Sequence, residues 1–125
     1  MSKKIINSNN APEPIGPYSH SVMVDQMLYV SGQLGIDPSN GQLKTTLEAQ
    51  TTQAFINLES ILNEAGLDFK NVAKTTLFIT DMANFAAVNN IYSTYFTSDY
   101  PARSCVAVAQ LPMDALFEIE VIATK

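Results

Sequence analysis

The apolar residues of this 125-residue chain recur with two different periods, and the switch between them predicts its elements. KKIIN, near the start, reads as a short strand. SHSVMV and MLYVSGQLG are β-like runs separated by Asp25 and Gln26, a spacing that predicts a hairpin. Before them lies NNAPEPIGPYSH, whose three prolines fix φ and remove backbone donors, so it is extended and irregular. DPSNGQ is a turn cluster. The period then changes. In TTLEAQTTQAFINLESILNEAG the apolar positions Leu47, Ala54, Phe55, Leu58, Ile61, Leu62 and Ala65 fall mostly three or four apart, which makes one helical stripe. Thr45 and Glu48 stand as its capping box and Gly66 as its C-cap. NVAKTTLFIT returns to a strand. MANFAAVNNIYSTYF repeats the helical stripe at Phe85, Val88, Tyr92, Tyr95 and Phe96, with Asp81 as its cap. SCVAVAQL and ALFEIEVIA are strands on either side of a turn around Pro112, and so short a connection predicts an antiparallel pair.

The order is β-β-β-α-β-α-β-β, an α+β sandwich in a single domain spanning residues 1–125. Two helices cover only one face of a six-stranded sheet. In the last strand Phe117, Ile119, Val121 and Ala123 alternate onto one face, and Leu116, Glu118, Glu120 and Ile122 onto the other. The strand before it is apolar on both faces, with Val106 and Val108 opposite Cys105, Ala107 and Ala109. A face of small residues beside carboxylates suits neither a core nor a solvent surface. It predicts packing against other subunits; a monomer with a half-wet sheet is the alternative.

Composition narrows the class. The chain is 46% hydrophobic and 15% charged, and no apolar run approaches the roughly 18 residues of a membrane helix. The lysines of MSKKIINSNN precede no apolar core, so no secretory signal is expected and the cytoplasm is the simplest address. One cysteine excludes an intramolecular disulfide and any multi-cysteine metal site, and no acidic or histidine cluster has metal-ligand spacing. A formal charge of −5 argues against nucleic acid as a partner. It leaves room for a small anion, because one arginine can dominate a pocket.

That arginine is Arg103, in YPARSC. It is either a surface residue capping a strand end or a carboxylate ligand. Pro101 stiffens its approach, and the small neighbours Ser104 and Cys105 leave space for a bound group whose carboxylate would match the planar guanidinium fork. Glu118 and Glu120 are either two solvated glutamates or a carboxylate held near Arg103 as a general acid–base. Cys105 is a nucleophile only if something activates it; a small buried hydrophobe is the simpler role. His20 reads as a strand-edge residue. Tyr18 ends the proline-rich loop, and Gly32 breaks a strand where close backbone approach costs little.

Taken together, YPARSCVAVAQLPMDALFEIEVIA, APEPIGPYSHSV, LYVSGQLGIDPSNG and FAAVNNIYSTYF resemble, in order and spacing, the Rid family of reactive-intermediate deaminases, also called YjgF-like or translation-inhibitor endoribonuclease-like. The resemblance covers essentially the whole chain. It implies a chorismate-mutase-like subunit with a six-stranded mixed sheet and two helices on one face, assembled as a homotrimer with clefts between subunits. It also implies hydrolysis of 2-imino acids, released by pyridoxal-phosphate dehydratases acting on serine and threonine, to 2-oxo acids and ammonia, without metal or cofactor. In the family the arginine at position 103 marks active deaminases and binds the substrate carboxylate. Glu118 falls on the acidic site position, Tyr18, Ser31 and Asn89 on cleft-lining positions, and Gly32 and Cys105 where backbone meets substrate. His20 replaces an expected glutamine. The implied chemistry assigns Arg103 to orientation of the substrate, Glu118 to the attacking water and the leaving amine, and Tyr18 to a supporting hydrogen bond. Two other readings use the same residues: a regulatory module that binds 2-oxo or 2-imino acids, and a ribonuclease or translation inhibitor, which the acidic balance disfavours.

Overall fold

A computed structural model describes residues 2–125. Six strands form one mixed sheet: β1 (Lys3–Ile6), β2 (Ser21–Val24), β3 (Met27–Leu34), β6 (Val72–Ile79), β7 (Ala102–Ala107) and β8 (Phe117–Thr124), in the spatial order β1-β2-β3-β8-β6-β7. The turn cluster DPSNGQ lies inside a small separate hairpin, β4 (Ile36–Asp37) with β5 (Gln42–Leu43). Two helices complete the chain, α1 (Leu47–Glu64) and α2 (Phe85–Tyr95).

The β2–β3 hairpin turns at Asp25 and Gln26 as the sequence predicts, with Val24 paired to Met27 and Asp25 at φ 53°. The α1 cap differs by one residue. Thr46, not Thr45, accepts the amide of Ala49 at 3.1 Å, so Glu48 is out of register for a capping box. At the other end Gly66, at φ 75°, donates to Asn63, and Leu67 donates to Leu62, which closes the helix in a Schellman turn. Asp81 caps the 3-10 turn Met82–Asn84 that leads into α2, rather than α2 itself.

The sequence-based pairing of the last two strands is overturned. β8 inserts between β3 and β6, antiparallel to both, and β7 lies outside β6, parallel to it. The link from β7 to β8 is no hairpin. It folds through a 3-10 turn, Pro112–Asp114, with Met113 and Asp114 at positive φ, and carries the chain past the intervening strand. The strand also begins earlier than its apolar run. Arg103 is its second residue rather than a cap at its mouth.

Both helices pack on one face. There Phe55, Leu58, Ile61 and Leu62 of α1 meet Leu28, Leu77, Phe117 and Ile119 of the sheet, all fully buried. The alternation predicted for β8 holds: Phe117, Ile119, Val121 and Ala123 are buried, while Glu120 is exposed. Three polar residues of α1 are buried as well. Asn57 donates to the carbonyls of Leu34 and Ile36, and Gln50 bridges Lys44 and Leu116, so the helix holds the end of β3 and the approach to β8. The other sheet face carries no helix, and Tyr29 and Val106 stay 47% and 45% exposed on the sheet.

Gly35 lets β3 end against α1. A Cβ there would stand 2.3 Å from the carbonyl oxygen of Gln50 and 2.4 Å from its Cα, both backbone atoms that cannot rotate away. Gly35→Ala is expected to destabilise by about 3 kcal/mol, the upper range for overpacking. A urea titration checks this: the midpoint falls while the slope is unchanged.

Candidate functional site

Three of the predicted site residues, Arg103, Asn89 and Cys105, gather at the edge strand. Thr75, fully buried under the helices, pairs directly with Arg103, which puts the arginine on the helix-bearing face of β7. Its Nη1 donates to Asn89 Oδ1 at 2.7 Å, and its Cζ lies 4.7 Å from the ring centroid of Tyr92 and 5.4 Å from that of Phe85. Phe85, Asn89 and Tyr92 occupy positions i, i+4 and i+7 of α2, one helix face. Asn89, Tyr92, Ser93, Tyr100, Pro101 and Arg103 line a cleft of about 380 Å³. Cys105 lies two residues along on the same face, half-buried. Burial pushes its thiol up and Arg103 only partly offsets this, which suits a packing role better than a nucleophile.

The other four, Tyr18, Ser31, Gly32 and Glu118, gather on the opposite face. The pairing of β3 with β8 slips between Val30 and Gln33, so Ser31 and Gly32 together oppose Glu120, a β-bulge. The bulge leaves the Gly32 backbone against the Glu118 carboxyl group, and a Cβ on Gly32 would come within 2.7 Å of the Glu118 carboxyl carbon. Glu118 is flanked across the ladder by Leu34 and Phe78, members of a small second apolar cluster with Leu111 and Ala115. Burial, and secondarily the charge of Glu120, raise its carboxyl above the ordinary value. With Tyr18, Ile15, Pro112 and Gly32 it lines a cleft of about 170 Å³.

His20 lines that cleft, and Ser31 braces it from behind. His20 is buried rather than at a strand edge. Its Nδ1 accepts from the Ser8 amide, so the ring proton sits on Nε2 and goes to the Pro12 carbonyl. A glutamine amide offers the same donor and acceptor, which accounts for the exchange of the expected glutamine for His20. The Ser31 hydroxyl donates to the Ser19 carbonyl at 2.6 Å, and its amide donates to that of His20 at 2.9 Å. Ser31 thus ties the Tyr18 loop to the bulge.

One chain does not bring the two halves together. The row Leu34–Glu118–Phe78–Val106 crosses the sheet, and Arg103 lies three residues from Val106. The two residues are roughly 10 Å apart across the strands and roughly 10 Å along them, and their side chains leave opposite faces. The reading of Glu118 as a carboxylate held near Arg103 is therefore not met within one subunit, because β6 separates the two strands.

Sequence reasoning also missed what holds Arg103. Phe85 and Tyr92 read as core stripe, and Asn89 came from resemblance; their common spacing on α2 was the available signal. A further cavity of about 410 Å³, between Asp68–Lys70 and Tyr95–Asp99, contains none of the predicted residues. Among the described residues no group of three or more histidines, cysteines or carboxylates is placed to hold a metal ion, and no helix is long and apolar enough to cross a membrane.

Comparison with known proteins adds the family context. The Endoribonuclease L-PSP family matches residues 8–125. The chain is 48% identical over 124 residues to the 2-iminobutanoate/2-iminopropanoate deaminase of Mus musculus, spanning 98% of this chain and 92% of that protein. It superposes on YyfA of Yersinia pestis, described as a protein of unknown function of the conserved Rid family, with a TM-score of 0.97, 44% identity and coverage of 99% and 100%. It superposes on Escherichia coli TdcF with bound serine at a TM-score of 0.94, 39% identity and 98% coverage of each chain.

Proposed function

Because this chain belongs to the Endoribonuclease L-PSP family, whose structures include Rid proteins, we propose that it hydrolyses 2-iminobutanoate and 2-iminopropanoate to 2-oxo acids and ammonium, in clefts between the subunits of a homotrimer. The observation that carries this reading is the division of the site. One surface of the chain presents a held cation, Arg103 with Asn89, and no acid–base. Another presents a desolvated carboxylate, Glu118 with Tyr18 and Gly32, and no cation. A ring of identical subunits puts the first surface of one copy against the second surface of the next. The exposed Val106 and Tyr29 on the sheet face without helices give that contact an apolar area to bury.

The chemistry follows from the two halves. The substrate is a carboxylate attached to a protonated imine carbon. Arg103 takes the carboxylate in two parallel hydrogen bonds and thereby fixes the imine beside Glu118 of the neighbouring copy. Glu118 accepts a proton from water as the oxygen bonds to the imine carbon, which gives a carbinolamine. It returns that proton to the nitrogen as the carbon–nitrogen bond breaks. The hydroxyl proton leaves with ammonia as ammonium, and the oxo acid remains. A raised carboxyl pKa suits a group that must both take and give a proton. Tyr18, which lines the Glu118 cleft with Gly32, supplies a supporting hydrogen bond to the bound substrate, and the backbone at Gly32 and Cys105 meets it. The protonated imine is already electrophilic, so the reaction needs no cofactor. The bound serine of TdcF has the same carboxylate and α-nitrogen arrangement as these substrates. The ribonuclease named in the family's description is the weaker reading for this chain, whose formal charge is −5 and whose only arginine is Arg103. The cytoplasm is the proposed location.

The test is complementation between inactive subunits. Arg103→Ala and Glu118→Gln chains, each inactive alone, are unfolded together at equal concentration and refolded. Random trimers then contain mixed rings in about three cases of four, and each mixed ring holds one intact site of three, so about a quarter of native activity returns. Activity no higher than the two variants measured separately would place the whole site within one chain.

A further inference from the structure

Arg103 is the only arginine of the chain and stands on an edge strand, yet no carboxylate holds it; the one ion pair among the described residues joins Lys44 and Asp37. It uses one donor on Asn89, and a guanidinium has five. Such a side chain would ordinarily sample many rotamers. Here two aromatic faces limit it. Tyr92 presents its ring at 4.7 Å and Phe85 at 5.4 Å. Tyr92 is itself fixed from behind: its hydroxyl shares a 2.9 Å hydrogen bond with the fully buried Thr75, the β6 residue paired with Arg103, and its ring packs on Phe55 and Phe96. The cation is thus held by its π face and by one edge, and the remaining donors stay free.

Resting on the deaminase reading of the same site, we infer that Tyr92, with Phe85, is a positioning residue: its ring face, locked by Thr75, sets the plane of the Arg103 guanidinium so that the free donor edge meets the substrate carboxylate. The ring acts through Arg103 and touches no reacting atom. The effect belongs to substrate capture, so it appears in KM and in affinity for the product acid, with little change in kcat.

Three variants test this. Tyr92→Leu removes the ring face, Tyr92→Phe keeps the face and loses the hydroxyl, and Phe85→Leu, at the half-buried first residue of α2, serves if Tyr92→Leu does not fold. Tyr92→Leu is expected to raise KM for 2-iminobutanoate, and Kd for 2-oxobutanoate by calorimetry, about tenfold, and Tyr92→Phe by less than about threefold. In the Arg103→Ala background Tyr92→Leu is expected to add nothing to the Kd for 2-oxobutanoate. Because Arg103 is the sole arginine, its Nε signal is unambiguous in an ¹⁵N spectrum. Relaxation of that signal should show an ordered side chain in the native protein and in Tyr92→Phe, and a mobile one in Tyr92→Leu or Phe85→Leu. Unchanged KM, Kd and Nε order in the ring-deleted variants would overturn the inference, as would equal effects of Tyr92→Leu with and without Arg103. If the native protein neither hydrolysed the imine nor bound the oxo acid, while Nε order still followed the aromatic ring, the deaminase reading would fail and the aromatic positioning of Arg103 would stand.

Discussion

Arg103→Ala is expected to lower kcat/KM for 2-iminobutanoate by about 10²–10⁴-fold. The substitution removes two charge-assisted hydrogen bonds to the substrate carboxylate, each worth about 1.5–3 kcal/mol, and leaves the carboxylate without a cation. It also frees the imine to leave its attack geometry, so part of the loss falls on kcat. Arg103→Lys keeps the charge and loses the planar fork and the fit over the Tyr92 ring, and should recover only a part of the rate. The fold should tolerate both changes, since Arg103 is exposed and bonds within the chain only to Asn89. The assay couples a threonine dehydratase to semicarbazide trapping of the released imine. Native protein diminishes the trapped product, and Arg103→Ala leaves it at the level seen without protein. Equal diminution by both would remove the arginine from substrate binding.

Glu118→Gln is expected to cost about 10²–10⁴-fold in kcat, the usual contribution of a positioned acid–base. The amide keeps the shape beside Gly32 and cannot accept the water proton. The pH profile carries a second signature. Burial and the neighbouring Glu120 raise the Glu118 carboxyl above 4.5, so kcat/KM should rise with pH through an acid limb displaced upward from that value, and the limb should vanish in Glu118→Gln. Stability should move the opposite way. A carboxyl whose pKa is higher in the folded state than in the unfolded chain binds protons better when folded. Its ionisation is therefore a cost to the fold above the folded pKa, and that cost is relieved as pH falls through it. Glu118→Gln removes the cost at neutral pH. The variant should lose activity and melt no lower than the native protein, with the difference between the two shrinking as the solution is acidified. A variant that melted well below native at neutral pH would show that the carboxylate stabilises the fold, against the desolvated role assigned to it.

The elements were legible because each depends on local periodicity. The Phe117–Ile119–Val121–Ala123 alternation and the Phe55–Leu58–Ile61–Leu62 stripe describe the same core from its two sides, and a period of two or of three to four carries that information without any neighbour. Even the face left without helices could be read from Glu118 and Glu120 beside small apolar residues. Strand neighbours were another matter. The pairing of β7 with β6 instead of β8 depends on how the chain crosses at Pro112–Asp114, where Met113 and Asp114 adopt positive φ, and no hydrophobic period records that crossing. His20 showed the same limit. Its buried bonds to Ser8 and Pro12 join residues eight and twelve positions away along an irregular loop, beyond the reach of any repeating pattern.

By itself, then, the sequence determined the six strands of the sheet and the two helices, which residues of the core elements turn inward, and the chemical types available for a carboxylate-bearing substrate: one arginine, two glutamates on the last strand, and a tyrosine on a proline-rich loop. The tertiary structure alone decided where those groups stand. It placed β6 between the strands that carry Arg103 and Glu118 and turned their side chains to opposite faces of the sheet. It also laid Phe85 and Tyr92 under the guanidinium. The physical reason is that inward and outward orientation is set by each strand's own alternation, whereas the order of strands in a sheet is settled by which apolar faces can be buried together across the whole chain.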